Sequence, residues 1–116
     1  MLTCPLTPET AHVINAEALG AMKRSAFLVN VARGGCVDET ALLAALNDGR
    51  IAGAALDCTD PEPPLPDSPL WTPPNVLLTP HPGGETTRYE ANVIEILMDN
   101  LDRLWRGESM LRNQIV

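Results

Sequence analysis

One stretch decides the fold expected of this chain: Ala26-Phe27-Leu28-Val29-Asn30-Val31-Ala32-Arg33-Gly34-Gly35. Its first six residues form a mostly apolar run of strand length, which is typical of a parallel strand covered on both faces. Arg33 and the two glycines then break the run. The carboxyl end of a strand in an open α/β sheet is the edge at which ligands bind. The stretch therefore predicts a parallel strand that ends in a candidate binding residue.

Two more short apolar runs follow along the chain and are also succeeded by polar residues. Residues 52–56 precede the proline-flanked Glu62, and residues 76–79 precede His81. Because the carboxyl ends of parallel strands share one edge of a sheet, we expect Arg33, Glu62 and His81 to gather there. An arginine, a carboxylate and a histidine at one edge can hold an anionic substrate and move a proton.

Helix signals alternate with the predicted strands. Asn15 is expected to cap a helix that runs to about Met22, and Asp38 a second helix whose leucine stripe stops at Gly49. Residues 1–4 have the character of the end of one more strand. The resulting order, β-α-β-α-β, allows the crossover connections that a parallel sheet needs.

A proline-rich connection precedes the last strand. Residues 60–74 hold seven of the eleven prolines, which predicts a stiff, extended segment and not a random linker. We expect Leu65, Leu70 and Trp71 to pin this segment to the surface beneath it.

A long helix is predicted after the last strand. Thr87 and Glu90 have the spacing of a capping box, and apolar residues then recur at helical intervals until Gly107. The predicted fold class is therefore α/β, with a parallel sheet of about four strands, flanking helices and a long C-terminal helix.

Composition and charge limit the function classes. At 116 residues, of which 45% are hydrophobic and 20% charged, the chain is expected to fold as one domain at most. Its net charge of −7, without a basic cluster, argues against nucleic acid or a membrane surface as a partner. No apolar run approaches the roughly 18 residues that span a bilayer. The N-terminus lacks the layout of a signal peptide, so we expect a cytoplasmic protein.

The cysteines and histidines do not indicate a disulfide framework or a metal centre. Cys4, Cys36 and Cys58 are odd in number and lack C-x-x-C spacing, so we expect three reduced thiols. The two histidines, His12 and His81, belong to neither an H-x-x-x-H nor an H-E-x-x-H motif. No metal ion is expected.

Each candidate site residue also has an ordinary structural interpretation. Arg33 suits a substrate carboxylate through its planar guanidinium, and it equally suits a surface position at a strand end. His81 can exchange protons or serve structure alone, and the following Pro82 is expected to keep its backbone extended. Glu62 can fix the tautomer of the histidine or remain a solvated loop residue. Asp57 can accept a hydrogen bond from a cofactor amide or hydroxyl, or cap a turn.

The motifs taken together resemble those of a known family. The matching stretches, in chain order, are Pro5-Leu6-Thr7-Pro8-Glu9-Thr10, Leu28-Val29-Asn30-Val31-Ala32-Arg33-Gly34-Gly35, Val37-Asp38-Glu39, Gly53-Ala54-Ala55-Leu56-Asp57, Glu62-Pro63 and Asn75-Val76-Leu77-Leu78-Thr79-Pro80-His81. With these, the chain resembles the C-terminal part of the D-2-hydroxyacid dehydrogenases, which include glyoxylate/hydroxypyruvate reductases and phosphoglycerate dehydrogenases. The combination is highly specific, although each stretch alone is modest.

The resemblance implies a reaction and a role for each candidate. Arg33 matches the arginine that binds the substrate, His81 the acid/base, and Glu62 its carboxylate partner. Asp57 matches the aspartate that holds the nicotinamide carboxamide. The implied reaction is reversible hydride transfer between NAD(P)H and a small 2-oxo acid of the glyoxylate, hydroxypyruvate or 3-phosphoglycerate type. The residues implied to bind the cofactor, NAD or NADP, are Cys4, Pro5, Thr10, Val31, Ala32, Arg33, Asp57, His81 and Gly84.

The resemblance also implies which part of the family's fold the chain contains. Residues 1–84 match the second half of a Rossmann-type NAD(P)-binding domain, and residues 85–116 match a long helix and tail that return to a substrate domain. The family's G-x-G-x-x-G phosphate loop lies upstream of these stretches, and the glycines of this chain never take that spacing. We therefore expect a fragment or truncated form of the enzyme, inactive alone and dimeric in its full-length context.

A second interpretation stays open at this point. The chain can instead be a non-catalytic α/β module for interaction or oligomerisation, derived from the same fold. An unpaired sheet edge at residues 1–4 and the apolar stripe of the last helix favour it. Cys58 and Pro82 depart from the family pattern, but neither replaces a reacting group.

Overall fold

Three parallel strands form the sheet of this chain. The computed structural model describes residues 1–114 and places β1 at Phe27–Asn30, β2 at Gly53–Leu56 and β3 at Val76–Leu78. β1 pairs with β2 and β2 with β3, both in parallel, in the order β1-β2-β3. Each of the three predicted apolar runs contains one strand, and the predicted α/β fold class is confirmed.

The expected fourth strand is reduced to a single bridge. Leu2 pairs in parallel with Asn30: its amide donates to the carbonyl oxygen of Val29 at 2.8 Å, and its carbonyl oxygen accepts from the Val31 amide at 3.4 Å. Pro5 has no amide hydrogen to donate and a fixed φ, which does not favour continued pairing. The sheet therefore has three strands and a bridge where the sequence predicted about four strands.

The first two helices begin at the predicted caps. α1, Ala16–Ala21, follows Asn15, and α2, Glu39–Asn47, follows Asp38. In both, the Oδ1 atom of the cap accepts a 3.0 Å hydrogen bond from the amide three residues further on. Each cap satisfies an amide that has no partner within its helix.

The third helix, α3 at Tyr89–Trp105, begins without the predicted capping box. Arg88 occupies the N-cap position and makes no side-chain cap bond, while the Thr86 hydroxyl accepts a hydrogen bond from the Arg88 amide at 3.3 Å. Because Thr86 closes the turn before the helix, the predicted role of Thr87 is wrong. The predicted stop is confirmed, since Gly107 adopts a φ of 73° just after the helix.

An apolar core joins the sheet to α1 and α2. Its buried members are Leu19, Leu28, Val37, Leu42, Ala45, Leu46, Ile51, Ala54, Leu56 and Leu70. Of the three residues predicted to pin the proline-rich segment, Leu70 does so with 1% exposure, whereas Leu65 and Trp71 are each 56% exposed. The indole Nε1 of Trp71 donates to the carbonyl oxygen of Leu65 at 2.9 Å, so these two residues brace the segment from within.

The chain divides into two compact units. Met1–Gly83 contains the sheet, α1 and α2, and the second unit begins at Gly84 and contains α3. The predicted division into 1–84 and 85–116, with a role for each part, stays a prediction, and residues 115–116 lie outside the described part. Within residues 1–114 no helix is both long and apolar enough to cross a membrane.

Candidate active site

A histidine and a glutamate form a close pair beyond the carboxyl ends of β2 and β3. Glu62 lies in the proline-rich segment that follows β2, and His81 lies just after β3. His81 Nδ1 is 2.5 Å from Glu62 Oε1, and each side chain is 39% exposed. Because the carboxylate can only accept, Nδ1 donates to it, and Nε2 is the ring nitrogen that can exchange a proton with a ligand.

The backbone of His81 differs from the predicted extended conformation. Its φ is 59°, in the left-handed region that residues other than glycine seldom adopt, and the residue before a proline normally avoids helical conformations. A conformation of this kind costs on the order of 1–3 kcal/mol and persists where its surroundings hold it. The hydrogen bond to Glu62 is one contact that holds the residue in place.

A buried aspartate at the end of β2 is fixed by two donors. Asp57 is 8% exposed; its Oδ1 accepts from the Thr79 hydroxyl at 2.5 Å and its Oδ2 from the Gly83 amide at 2.8 Å. A carboxylate offers about four acceptor positions. Asp57 therefore keeps acceptor capacity for a ligand while its orientation is set by the protein.

Thr79 and Gly83, which hold Asp57 in place, are residues of the candidate site that the sequence interpretation missed. A Cβ atom added to Gly83 would lie 2.5 Å from Asp57 Oδ2, so only glycine allows this approach. The signal in the sequence was the Gly83-Gly84 pair itself, and the prediction placed the cofactor contact on Gly84. Thr79 lies within a matching stretch but received no role, because its partner is 22 residues away in the chain.

One cavity of about 670 Å³ is lined both by the pair of His81 and Glu62 and by Asp57. Its lining residues are Asp57, Cys58, Thr59, Glu62, Pro63, Pro64, Trp71, Leu78, Thr79, Pro80 and His81. The prolines and Trp71 supply apolar surface, and the histidine and two carboxylates supply the groups that can bind or exchange protons. We call this the histidine cavity.

Arg33 lines a different cavity, of about 600 Å³, which we call the arginine cavity. The guanidinium donates through Nη1 to the carbonyl oxygen of Ala32 at 2.6 Å. Within residues 1–114 no carboxylate lies at ion-pair distance from it. The structure thus brings Glu62 and His81 together, as expected, whereas Arg33 lines the arginine cavity.

Seven of the nine predicted cofactor residues line one of the two cavities. Asp57 and His81 line the histidine cavity. The arginine cavity is lined by Thr3, Cys4, Pro5, Leu6, Val31, Ala32 and Arg33. Thr10 lines neither, but its hydroxyl donates to the carbonyl oxygen of Pro5 at 2.7 Å and so supports a wall of the arginine cavity. Gly84 belongs to the second unit.

The pKa of the Cys58 thiol depends on the charged groups around the histidine cavity. Burial raises the pKa of its thiol, the carboxylates of Glu62 and Asp57 raise it further, and the Arg33 guanidinium acts in the opposite direction. Arg33 is therefore close enough to act electrostatically on a residue that lines the histidine cavity. The thiol stays protonated at neutral pH and is a poor nucleophile. Among residues 1–114 no group of three or more His, Cys, Asp or Glu side chains is placed to hold a metal ion.

Comparison with known proteins identifies the family. A model of the D-isomer specific 2-hydroxyacid dehydrogenase NAD binding domain matches residues 1–83. The chain belongs to the D-isomer specific 2-hydroxyacid dehydrogenases. The resemblance drawn from the motifs is thereby confirmed.

Individual relatives of this family match nearly the whole chain. A glyoxylate reductase of Korarchaeum cryptofilum is 46% identical over 107 residues, which cover 92% of this chain and 32% of the relative. A D-isomer specific 2-hydroxyacid dehydrogenase of Xanthobacter autotrophicus Py2, crystallised with NADPH and MES, has a TM-score of 0.86 and 43% identity, over 98% of this chain and 46% of that one. The NAD complex of a D-isomer specific 2-hydroxyacid dehydrogenase from Lactobacillus delbrueckii ssp. bulgaricus has a TM-score of 0.85 and 34% identity. The match covers 94% of this chain and 37% of that one. The chain spans between about a fifth and just over a third of the length of the curated relatives it matches.

Proposed function

We propose that this chain carries the proton-transfer and substrate-binding residues of an NAD(P)-dependent oxidoreductase. The reaction interconverts a small 2-oxo acid, of the glyoxylate, hydroxypyruvate or 3-phosphoglycerate type, and the corresponding 2-hydroxy acid. The observation that carries the proposal is the 2.5 Å pair of His81 and Glu62, which lines the same cavity as the fixed carboxylate of Asp57. Membership of the dehydrogenase family supports the reaction class.

His81 acts as acid and base at the substrate oxygen. Since Glu62 binds Nδ1, the ring is held in one tautomer and one orientation. During reduction the imidazolium form donates the Nε2 proton to the alkoxide oxygen and becomes the neutral ring that keeps its proton on Nδ1; during oxidation the neutral Nε2 accepts the proton of the substrate hydroxyl. Glu62 is a positioning residue, because it acts on the substrate only through the ring.

Arg33 binds the carboxylate of the 2-oxo acid and polarises its ketone. The guanidinium fork matches a carboxylate, and within residues 1–114 no carboxylate of the chain already occupies it. In the structure Nη1 of Arg33 donates to the Ala32 carbonyl oxygen, so a substrate carboxylate that takes up the guanidinium fork competes with this hydrogen bond. We therefore expect Arg33 to change rotamer when substrate binds.

The residues of the chain fit the nicotinamide end of the cofactor, which supplies the hydride when bound. Asp57 is buried, held in place by Thr79 and Gly83, and able to accept further hydrogen bonds from a carboxamide. We propose that Cys4, Pro5, Thr10, Val31, Ala32 and Gly84 contribute the remaining cofactor contacts.

The 116 residues alone are proposed to be inactive, because they contain no G-x-G-x-x-G phosphate loop. The first arm of the test mixes the purified chain with NADH or NADPH and glyoxylate or hydroxypyruvate, and follows the absorbance of the reduced nicotinamide. No oxidation above the buffer rate is expected. Clear turnover contradicts this part of the proposal.

The second arm tests the reaction itself in a chimera. This chain replaces the matching segment of the Xanthobacter autotrophicus relative, which supplies the rest of the enzyme. The chimera is expected to reduce 2-oxo acids with NADPH in a manner that depends on His81. Either of two results contradicts the proposed function: a folded chimera that binds NADPH but is inactive, or a chimera whose rate stays the same when His81 is replaced.

We further propose that the protein acts as a homodimer in the cytoplasm. The three cysteines carry free thiols, as is usual in a reducing compartment. The large apolar side chains of α3 are exposed, among them Leu97, Leu101 and Trp105 at 54%, 50% and 93%. This exposure also favours the second candidate function, a non-catalytic interaction module.

Light scattering separates the two functions. Two results together favour the module. The isolated chain self-associates and loses this self-association in Leu97→Glu and Leu101→Glu, and the rate of the chimera does not change when His81 is replaced. A His81-dependent chimera favours the dehydrogenase.

A further inference from the structure

A buried asparagine ends β1, and the proposed reaction gives it no role. Asn30 is 1% exposed and lines neither the histidine cavity nor the arginine cavity. Its Oδ1 accepts a hydrogen bond from the Ala32 amide at 3.0 Å, and its Nδ2 donates to the Arg33 carbonyl oxygen at 2.9 Å. Both ends of one buried side-chain amide are therefore bonded to the backbone that carries the candidate substrate-binding arginine.

The backbone of Asn30 is itself fixed in the sheet. Asn30 is the register partner of Leu56 in β2, and its carbonyl oxygen accepts a hydrogen bond from the Asp57 amide at 2.9 Å. The residue therefore has a fixed backbone, while its side chain binds the segment that leaves the sheet. A side chain anchored in this way can hold the following turn in one position.

Further contacts hold the backbone around Arg33. A Cβ atom added to Gly34 would overlap the carbonyl group of Thr59 and lie 2.7 Å from the Asp60 amide nitrogen, so this peptide packs directly on Gly34. The Cys36 amide gives the Arg33 carbonyl oxygen a second donor, at 3.2 Å. Arg33 itself is extended, with φ −146° and ψ 146°. Since many residues adopt this conformation without strain, neighbouring groups and not a local preference set the position of Arg33.

The two bonds of the Asn30 side chain require an amide. One backbone group needs an acceptor and the other a donor, and a side-chain amide supplies both. A carboxylate of the same size supplies acceptors only, and an aliphatic side chain supplies neither. Because an unpaired buried polar group costs free energy, we expect the turn to rearrange when this amide is lost.

We propose that Asn30 is the positioning residue of Arg33. Its side-chain amide holds the backbone between β1 and the 3-10 turn Gly34–Cys36, and this backbone sets the point from which the guanidinium reaches into the arginine cavity. Asn30 acts on the substrate only through Arg33. The inference rests on the proposed function, in which Arg33 binds the carboxylate of a 2-oxo acid.

The first arm of the test measures amide hydrogen exchange by NMR in the 116-residue chain. In Asn30→Ala the Ala32 amide loses its acceptor, and we expect it to exchange about 10-fold faster than in the parent. The Asp57 amide donates to the backbone carbonyl of residue 30, which the substitution keeps, so its exchange should change much less. The Asp57 amide thus separates a local loss from a general loss of stability.

The second arm is a double-mutant cycle in the chimera. Asn30→Ala is expected to lower kcat/KM for glyoxylate about 10-fold, because a displaced guanidinium binds the carboxylate less well. When Arg33→Gln is already present, Asn30→Ala should have little further effect, since it acts through the arginine. A residue that only stabilises the fold would cause the same loss with and without Arg33.

Asn75 provides the matched control. Its Nδ2 also donates to a backbone carbonyl oxygen, that of Ala52 at 3.1 Å, but Asn75 precedes β3 and so lies at the opposite end of the sheet. Asn75→Ala should leave kcat/KM and the exchange of the Ala32 amide unchanged.

A second variant, Asn30→Ser, keeps the test decisive if Asn30→Ala does not fold. The serine hydroxyl can accept from the amide two residues further on, but it is too short to replace the bond to Arg33. It should keep most of the protection of the Ala32 amide and cause a smaller loss of kcat/KM, again only when Arg33 is present.

Three results overturn the inference. They are equal acceleration of the Ala32 and Asp57 amides, an unchanged kcat/KM in Asn30→Ala, and losses that add in the double variant. Each is distinct from a failure of the proposed function, which is an inactive parent chimera or one whose rate does not depend on His81. In that case the role of Asn30 toward the substrate fails as well, and hydrogen exchange still decides whether Asn30 holds the turn.

Discussion

The histidine cavity and the arginine cavity differ in how firmly their polar groups are held. In the first, His81 is bonded to Glu62, and Asp57 accepts hydrogen bonds from two donors. In the second, the Arg33 guanidinium donates to a backbone oxygen of its neighbour Ala32. The geometry proposed for proton transfer is therefore held by hydrogen bonds within this chain, whereas the side chain proposed to bind the anion is expected to be positioned by its ligand. Preorganised groups lose little entropy when a ligand binds, and this difference sets the order of the effects expected below.

The largest effect is expected from the acid/base. His81→Asn in the chimera should lower kcat by about 10²- to 10⁴-fold, because no other group of the histidine cavity can exchange a proton in the same position. Asparagine tolerates the left-handed backbone, so the fold should be retained. Steady-state kinetics with NADPH and glyoxylate provide the measurement, and Glu62→Gln should cause a smaller loss.

His12 offers a matched control for this substitution. It is the second histidine of the chain and also has a positive φ, of 50°, compared with 59° for His81. It does not line either cavity. His12→Asn should leave kcat unchanged, and an equal loss in both variants would show that backbone strain, not proton transfer, explains the effect.

The second effect is expected in the arginine cavity. Arg33→Gln in the chimera should lower kcat/KM for the 2-oxo acid about 10- to 10²-fold, the value of a lost charge-assisted hydrogen bond. NADPH affinity, measured by fluorescence titration, should change less. Arg24→Gln removes the same charge from an exposed position outside both cavities and should have no effect. If Arg33→Gln lowers the affinity for NADPH as much as it lowers kcat/KM for the 2-oxo acid, Arg33 binds the cofactor and not the substrate.

The parts of the fold that depend on local pattern could be predicted from the sequence. The apolar runs predicted the three strands. The N-caps Asn15 and Asp38 were predicted because each is a polar residue with a short side chain that precedes apolar residues at helical spacing. The pairing of Glu62 with His81 was expected because both follow neighbouring parallel strands. These features follow from residue type and order along a few positions.

The parts that depend on contacts distant in the chain could not be predicted in the same way. The left-handed backbone of His81 contradicts its local preference and becomes visible only with its partner in place. The donors to Asp57 lie 22 and 26 residues away, so the need for glycine at Gly83 has no local signal. The hydrogen bond from Arg33 to the carbonyl oxygen of Ala32 depends on the side-chain rotamer, which the position of Arg33 at a strand end does not specify.

The third effect tests how tightly the histidine cavity is built. In Gly83→Ala the new methyl group would lie 2.5 Å from Asp57 Oδ2, so the carboxylate or the loop has to move. We expect a loss of about 1–3 kcal/mol in the free energy of unfolding, the usual cost of overpacking, measured by urea denaturation of the isolated chain.

The neighbouring glycine supplies the control for this prediction. A Cβ atom added to Gly84 would meet no atom within 4 Å. Gly84→Ala should therefore leave stability nearly unchanged. Equal losses in the two variants would mean that the approach of the Gly83 backbone to Asp57 is not the reason for glycine there.

The smallest effect concerns the anchor of the segment that carries Glu62. Glu39 Oε1 accepts a hydrogen bond from the Asp60 amide at 2.8 Å, at the start of that segment. Burial raises the pKa of Glu39 and the Asp60 carboxylate raises it further, against the opposing effect of this hydrogen bond. A carboxyl whose pKa is raised by folding contributes stability below its unfolded pKa, and the contribution is lost as the pH rises through its folded pKa.

Glu39→Gln removes this titration and keeps an oxygen that can accept from the Asp60 amide. As the pH rises from about 4 to about 7, the free energy of unfolding of Glu39→Gln should therefore increase relative to the parent, by at most about 1 kcal/mol because solvent screens a partly exposed carboxylate. Urea denaturation across this range provides the measurement, with the exposed Glu17→Gln, in the first turn of α1, as the matched control. A relative stability that falls with rising pH would mean that the hydrogen bond to Asp60 outweighs burial, and that the charge of Glu39 helps to hold the wall of the histidine cavity.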